Sequence, residues 1–366
     1  MLAGYWQDFK VQNLSAEEAR KLTAPWQALS AHAIEPAGFN APELALPILK
    51  QQSGATLAAV TDGPDLLFAL PNENGFGYSK SWVTPLTASG TPHIAENLHA
   101  ATITAFLSGQ SRPFLFQAIA ANGACHSALQ QHAGRYAVFE TWARAGLKIS
   151  GTYENWLQTN FDQKRRKEFK RLRTRLSEQG NLVSEQLQSS SGVESFASDF
   201  LKLEATGWKG KRGTAIAADV NMAAALRESA TDLHKSGKLR FWSLKLDGKC
   251  IASLFAIVEK DQAWLGKIAH DENFAKYSPG ALIILDCTGS FFAEPSIRSV
   301  DSSAIPNHPL IDRIWRDRLP MISVFVASAK VSKLKFNFTV MLARQKLKWR
   351  NIARDLYYKV KGKRRS

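Results

Sequence analysis

Apolar residues in the second half of the chain are concentrated in three consecutive runs, 238–246, 250–259 and 262–269, separated by short polar segments. The first segment is Asp247-Gly248. A type I′ turn needs positive φ at both central residues, so Asp-Gly between two such runs indicates a hairpin. The pattern therefore predicts an antiparallel meander of three strands.

A strongly apolar segment, 281–293, follows the meander and predicts a helix that begins after Ser278-Pro279-Gly280. Proline is favourable in the first helical turn, serine is a good N-cap, and glycine allows a ligand to approach the backbone. The free N–H groups and the positive end of a helix form an anion site that suits a pyrophosphate. The same tripeptide is also common at ordinary capped helices.

The rest of the chain alternates strand and helix patterns, which is typical of an α/β or α+β protein. Small residues at Ser150-Gly151-Thr152 mark a boundary. We predict an N-terminal domain over 1–150, a second domain over 151–330, and a basic helix and tail over 331–366. The predicted strands are 56–60, 66–70, 113–119, 183–187, 297–300 and 321–327, and the predicted helices are 96–107, 124–131, 164–179, 192–205, 220–235 and 334–358.

The formal net charge of +15 predicts anionic partners, which include nucleic acid, an anionic membrane surface and a phosphorylated cofactor. Much of the excess lies in 164–175 and in the C-terminal tail. Lys164, Lys167, Arg171 and Arg175 share one helical stripe that would suit a lipid headgroup, although a basic stripe is usually just a solvated face.

The sequence gives no indication of secretion or of a membrane span. The N-terminus lacks the pattern of a secretory signal, and no apolar run approaches about 18 residues. Three scattered cysteines suit a reducing compartment. We expect a cytoplasmic protein that can lie at the inner membrane face.

A series of short motifs resembles one branch of the GNAT acyltransferase superfamily, the acetyltransferases of cellulose and other polysaccharide biosynthesis, which are related to the Fem-like transferases of peptidoglycan bridges. The resemblance covers roughly residues 150–320. It is carried by Lys164-Arg165-Arg166-Lys167-Glu168, Arg171, Phe200-Leu201-Lys202-Leu203-Glu204, Gly207-Trp208-Lys209-Gly210, Gly213-Thr214, Gly237, Leu239, Ile251-Ala252, Lys267, Asp271-Glu272, Tyr277-Ser278-Pro279-Gly280, Asp301 and Trp315.

The resemblance implies a GNAT-like fold, a mixed and mainly antiparallel sheet flanked by helices, with two such domains in tandem and the first degenerate. It implies transfer of an acetyl group from acetyl-CoA, or an acyl group from another acyl-CoA, to a hydroxyl or amine of a sugar or polysaccharide precursor, without a metal. Tyr277, Ser278, Pro279, Gly280 and Ala281 would then bind the cofactor. This loop holds fewer glycines than the superfamily pattern Gln/Arg-x-x-Gly-x-Gly/Ala.

Direct acyl transfer requires a base and donors for the oxyanion. Glu204 and Asp301 are the preferred catalytic candidates, ahead of His270, Asp271 and Tyr277. Glu204 near a helix end could equally be a structural carboxylate, and Asp301 could only cap its neighbours.

Trp208, Lys209, Lys267 and Asp271 are the candidates for acceptor binding. A tryptophan stacks on sugar faces and a lysine contacts anions, although a lone tryptophan more often fills a core.

Other enzyme classes are disfavoured because the chain has no Gly-x-Ser-x-Gly, Walker A or HExxH motif and no zinc-like His/Cys spacing. Two alternatives to the acetyltransferase stay open. One is a Fem-like transferase that uses aminoacyl-tRNA, and the other is a non-catalytic protein whose basic helices bind nucleic acid or a membrane surface.

Overall fold

The structure is a computed structural model that describes residues 9–207, 210 and 212–363, with side chains of the last helix described as far as residue 353. The strands of its first half are β1 (Lys10–Leu14), β2 (Ala55–Asp62), β3 (Asp65–Asn74), β4 (Ser79–Ser81), β5 (His93–Ile94), β6 (Phe114–Ala120) and β7 (Arg135–Lys148). The strands of its second half are β8 (Leu182–Gln186), β9 (Leu239–Leu246), β10 (Lys249–Glu259), β11 (Gln262–His270), β12 (Ser299–Asp301) and β13 (Asp317–Ala327).

The described strands form one continuous sheet in the order β1-β2-β3-β4-β6-β13-β7-β12-β11-β10-β9-β8, with β5 paired to β3. Most neighbours are antiparallel. The two parallel pairs are β4 with β6 and β11 with β12, so each half repeats the order of meander, crossover and parallel strand. The predicted GNAT-like sheet, mixed and mainly antiparallel, is confirmed.

The two halves exchange their last strands at the centre of the sheet. β7 belongs to the first half of the chain, yet it pairs with β12 and β13 of the second half. β13 in turn pairs with β6 of the first half. The predicted division at residue 150 follows the end of β7, and it stays a prediction.

Helices cover both faces of the sheet. They are α1 (Ala16–Arg20), α2 (Thr23–Ala31), α3 (Pro42–Gln51), α4 (His99–Ser108), α5 (Ala124–His132), α6 (Tyr153–Asn160), α7 (Gln163–Ser177), α8 (Val193–Thr206), α9 (Val220–Lys235), α10 (Pro279–Ala293) and α11 (Lys333–Lys363). One apolar core joins α1, α2, α3, α8 and α9 of both halves on one face. On the other face α4 and α5 pack against the first half, and α6, α7 and α10 against the second.

The predicted meander matches β9, β10 and β11, which pair antiparallel in that order. Asp247 and Gly248 have φ values of 47° and 76°, as the predicted type I′ turn requires. The other predicted strands and helices each correspond to an element of the structure within a few residues. The pattern missed β1, α1 to α3, β4, β5, the long strand β7 and α6.

Candidate active site

The parallel strands β11 and β12 separate after a short paired stretch. Gln262, Ala263 and Trp264 pair with β12, whereas the rest of β11, as far as His270, has only β10 as a neighbour. The chain leaves β12 at Ser302, whose N–H donates to the carbonyl of Ala145. A cleft of about 400 Å³ opens between the parted strands. Its walls include Leu254, Leu265–Ile268, Ile284, Ser302–Ile305, His308, Leu310 and Ile311, together with Phe39 and Thr84–Ala88 from the first half.

A β-bulge lies in the wall of this cleft. Leu254 pairs with Ile268 and Ala256 with Leu265, so Gly266 and Lys267 together face the single residue Phe255. A Cβ on Gly266 would lie 1.9 Å from the Phe255 ring, which is why only glycine fits there. Bulges interrupt the ladder and redirect side chains, and they are frequent beside active sites. Here the bulge brings Lys267 to the cleft.

Helix α10 begins at the end of this cleft with an unusual cap. Ser278 has φ 52° and ψ 52°, a left-handed conformation that is costly for a non-glycine residue, and its side chain makes no capping hydrogen bond. Ser278 is the N-cap residue, as predicted, but it caps the helix without a hydrogen bond from its hydroxyl. Its carbonyl accepts from the N–H groups of Ala281 and Leu282 at 2.9 and 3.2 Å.

The first turn of α10 is covered by neighbouring side chains, whereas an open anion site would leave its N–H groups accessible to a ligand. Pro279, Gly280 and Ala281 are buried, and a Cβ on Gly280 would lie 3.1 Å from the Leu310 side chain and 3.2 Å from Nδ1 of His270. Tyr277 is also buried. Among the predicted cofactor residues only Ser278 is partly exposed, so this loop would contact a ligand through its backbone.

Glu204 lies in the last turn of α8, buried at 2 % exposure. Its Oε2 accepts from the N–H of Ile216 at 2.8 Å, and its Oε1 lies 3.5 Å from Nζ of Lys267. It lines a side pocket of about 250 Å³ that shares Ile268, His308 and Leu310 with the cleft. The structure therefore brings together two of the predicted site residues, Glu204 and Lys267.

Two histidines lie at the junction of cleft and side pocket. His270 ends β11 beside Gly280, and His308 lines both cavities. Nδ1 of His308 accepts from the N–H groups of Leu310 and Ile311 at 3.3 Å, so a neutral ring carries its proton on Nε2.

Asp301 lies apart from Glu204. Its Oδ2 accepts from the guanidinium of Arg144, and its Oδ1 accepts from the N–H of Ser303 at 2.8 Å. Asp301 and Arg144 are both buried and line a separate, small cavity of about 70 Å³ between the halves. The structure shows Asp301 as one partner of a buried ion pair.

Asp271 is held outside the cleft. Its carboxylate accepts from Nζ of Lys249 at 3.0 Å and from the N–H of Asn273 at 3.0 Å. Burial acts to raise the pKa of Asp271, but these hydrogen bonds outweigh it and leave the pKa below its ordinary value. The other two predicted acceptor residues, Trp208 and Lys209, lie outside the described residues.

Sequence reasoning missed the contribution of the first half to this site. Thr84–Ala88 and Phe39 form one wall of the cleft, although they are remote in sequence from Lys267. His308 was also missed, since a single histidine between two prolines carries no periodic signal. Across the described ranges, no three His, Cys, Asp or Glu side chains are grouped in a way that could hold a metal ion.

Comparison with known proteins finds a family model that is similar to part of the second half. Residues 163–306, which include β11, the bulge, α10 and β12, match the family model described as an acetyltransferase (GNAT) domain. No curated protein matches this sequence.

Solved structures resemble the chain over most of its length at low identity. FemX has a TM-score of 0.55 at 9 % identity and covers 88 % of this chain and 98 % of its own. A conserved protein of unknown function from Bacteroides thetaiotaomicron VPI-5482 gives 0.54 at 11 % identity, with 83 % and 97 % covered. The C-terminal domain of a putative lysylphosphatidylglycerol synthetase from Agrobacterium fabrum gives 0.53 at 9 % identity, with 84 % and 91 % covered. The chain thus has a GNAT-like fold, and residues 163–306 within it are similar to a GNAT acetyltransferase domain.

Proposed function

We propose that the protein transfers an acyl group from an acyl-CoA, with acetyl-CoA as the first candidate, to a hydroxyl or amine of a sugar or polysaccharide precursor. The observation that carries this proposal is the cleft between β11 and β12, with the bulge at Gly266-Lys267 in its wall and a helix start at its end. Such a cleft lets an extended thioester run between two strands and present its carbonyl carbon to an acceptor.

The reaction moves one proton from the acceptor to the leaving group and needs stabilisation of one developing charge. The acceptor oxygen or nitrogen attacks the thioester carbonyl carbon, the C–S bond breaks, and the thiolate leaves. Glu204 accepts the acceptor's proton, directly or through a water, and then gives it to the thiolate, which leaves as the thiol. The ammonium of Lys267 lies beside it and stabilises negative charge that develops in the cleft, together with backbone N–H groups of the bulge.

The cavities fit the acyl and thioester end of the donor better than its pyrophosphate. The cleft and side pocket are contiguous and largely apolar in their walls. At the helix start Leu310 and His270 cover Gly280, so a pyrophosphate would contact the backbone from Tyr277 to Ala281 near the partly exposed Ser278.

The acceptor would enter from the side of the first half. Thr84–Ala88 and Phe39 face the bulge across the cleft, so the first half shapes the acceptor site. Lys267 would contact an anionic acceptor, and Trp208 and Lys209 stay predicted contacts. Asp271 would act indirectly, because its carboxylate is held by Lys249 and Asn273.

The exposed basic stripe on α7 supports a second candidate, a transferase that uses aminoacyl-tRNA. Lys164, Lys167, Arg171 and Arg175 are all exposed along this helix. A phosphate backbone would bind such a stripe with strong salt dependence.

Calorimetric titration with acetyl-CoA tests the first proposal. We expect binding to the full chain and at least a tenfold weaker affinity for Gly280→Trp, because the new ring must displace Leu310 and His270 at the helix start. The matched control is Val220→Trp, which adds the same ring at the exposed first residue of α9.

Circular dichroism melting of each variant establishes that Gly280→Trp is folded, and Leu310→Ala gives a second test, since opening the helix start should preserve or strengthen binding. Wild-type protein that binds no acyl-CoA but binds tRNA, with affinity falling steeply with salt, would instead support the second candidate.

A further inference from the structure

The C-terminal helix α11 has two apolar faces, and only one of them packs against the sheet. Phe336, Val340 and Ala343 are buried against Leu115 and Phe325. Side chains alternate between the two faces of a strand. The neighbours of Leu115 and Phe325 along their strands point to the other face, toward α4 and α5; they are Phe114, Phe116, Val324 and Val326. Helix α11 therefore lies on the face of the sheet opposite to α4 and α5. This inner face accounts for the attachment of α11.

The second apolar face points to solvent. Its residues range from 39 % exposed at Ile352 to 85 % at Leu334. At about 100° per residue they fall on one narrow stripe, opposite the buried face. The outer stripe consists of Leu334, Phe338, Met341, Trp349 and Ile352.

Basic residues flank the outer stripe on both sides. By the same angular spacing Lys335 and Lys346 lie on one flank, and Lys333, Arg344 and Lys348 on the other. The sequence from Lys333 to Arg354 contains no Asp or Glu. Within the described part of the chain, none of these five basic side chains has a carboxylate within 4.0 Å.

Two of the flanking side chains are held in place by the body of the protein. Nζ of Lys335 donates to the carbonyl of Ser111 at 3.0 Å, and the guanidinium of Arg344 donates to the carbonyl of Val138 at 2.5 Å. The outer stripe therefore lies on a helix whose opposite face is fixed to the sheet. The side chains of Lys335 and Arg344 are already held beside the stripe.

We propose that α11 docks the protein on an anionic lipid bilayer, with the outer stripe inserted into the headgroup boundary and the flanking basic groups on lipid phosphates. A helix that combines a large apolar face with Lys and Arg flanks binds at such an interface. Charge favours a bilayer over a second copy of the chain as the partner of the outer stripe. Two copies packed through this stripe would bring their basic flanks together, whereas an anionic bilayer neutralises the basic side chains. No helix among the described residues is long and apolar enough to cross a membrane, so the contact would be peripheral.

Flotation with phospholipid vesicles tests the proposal on the full chain. We expect binding to vesicles of phosphatidylcholine with about one third phosphatidylglycerol, weaker binding in high salt, and little binding to pure phosphatidylcholine. The double variant Phe338→Asp/Trp349→Asp should bind the anionic vesicles at least about tenfold more weakly, because it removes the two largest rings of the stripe. Lys346→Glu/Lys348→Glu should do the same.

Matched controls change equivalent residues elsewhere. Val220→Asp replaces an exposed apolar residue at the start of α9, and Lys21→Glu reverses an exposed charge next to α1; both should bind vesicles like the wild type. Unchanged melting and unchanged acetyl-CoA affinity without vesicles keep this test separate from the proposed function. Equal binding of the stripe variant and the wild type would overturn the proposal. So would a wild-type dimer, seen by light scattering, that the stripe variant splits without any vesicle binding.

Discussion

A buried carboxylate next to a lysine is the feature of single residues on which the proposed chemistry depends. Both oxygens of Glu204 have partners, the N–H of Ile216 and the ammonium of Lys267, yet the residue lines a pocket that opens into the cleft. The pocket gives this carboxylate access to a bound acceptor, as a base needs, while its two partners equally suit a carboxylate that anchors a loop.

Glu204→Gln separates these two roles. The amide keeps an oxygen for the N–H of Ile216 but cannot take a proton at neutral pH, so we expect kcat/KM to fall by about 10²- to 10⁴-fold while the melting temperature changes little. Steady-state kinetics with acetyl-CoA and calorimetric melting measure the two quantities. Glu228→Gln is the control, because this carboxylate pairs with Arg20 and Lys50 at the surface. A large loss of stability with unchanged kcat/KM would assign Glu204 a structural role.

Asp301→Asn should give the reverse result. Breaking a buried ion pair leaves the guanidinium of Arg144 without its partner, which costs about 3–5 kcal/mol of unfolding free energy. Activity per folded molecule should stay close to that of the wild type. A loss of activity in the folded fraction would instead support the prediction that Asp301 is catalytic.

At the scale of elements, the bulge in β11 forms part of the cleft wall. Gly266 is the one position in its wall where the Phe255 ring leaves no room for a side chain. We expect Gly266→Ala to lower the unfolding free energy by about 1–3 kcal/mol through overpacking and to weaken donor binding, because the strand must move. Urea denaturation and the same calorimetric titration measure both effects.

Gly289→Ala in α10 is the matched control. Its new Cβ would meet Tyr153 at an ordinary 3.4 Å, and alanine is the better helix former, so stability should rise by up to about 1 kcal/mol. If Gly266→Ala is as stable as this control and binds the donor equally well, the bulge does not shape the cleft.

Local patterns predicted the elements whose determinants are local. The Asp247-Gly248 hairpin needs only two residues with positive φ, and α10 needs only an apolar segment after a proline. β7 was missed because its first ten residues are mostly half-exposed and include Arg135, Glu140 and Arg144. Its partners, β12 and β13, lie far along the chain, so no local pattern indicates this strand.

The candidate site was predictable to a similar extent. Glu204 and Lys267 were found through the motifs that carry the family resemblance, and the structure places their side chains together. The wall formed by Thr84–Ala88 depends on contact between the two halves, which the order of residues does not reveal. Nor does the sequence show that Leu310 covers Gly280.

For the whole molecule, the strand exchange makes the two halves depend on each other. β13 lies between β6 and β7, both from the first half, and β7 is the antiparallel neighbour of β12 beside the cleft. A buried cluster adds to this coupling, because Glu259 of β10 accepts from the N–H of Ala37 at 2.6 Å and contacts His93 of β5 at 3.1 Å. The predicted boundary at residue 150 therefore divides the chain into two segments whose strands are neighbours in one sheet.

Fragments cut at two places test this dependence. A fragment of 151–366 keeps β12 and β13 but loses both β6 and β7, so it exposes one edge of β12 and both edges of β13. A fragment of 134–366 keeps β7 and with it the pairing from β13 to β8. We expect 134–366 to melt more cooperatively and to aggregate less than 151–366, as followed by circular dichroism and light scattering.

Co-expression of 1–150 with 151–366 supplies β7 in trans, and we expect the two fragments to co-purify and to melt as one unit. Fragments 1–133 and 134–366 are the matched pair, since that cut leaves β7 with its partners and requires only the β6–β13 edge and the shared apolar core to reform. A fragment of 151–366 that is monomeric on its own and unfolds in one sharp transition would show that the second half is an autonomous domain, with β7 dispensable for its sheet.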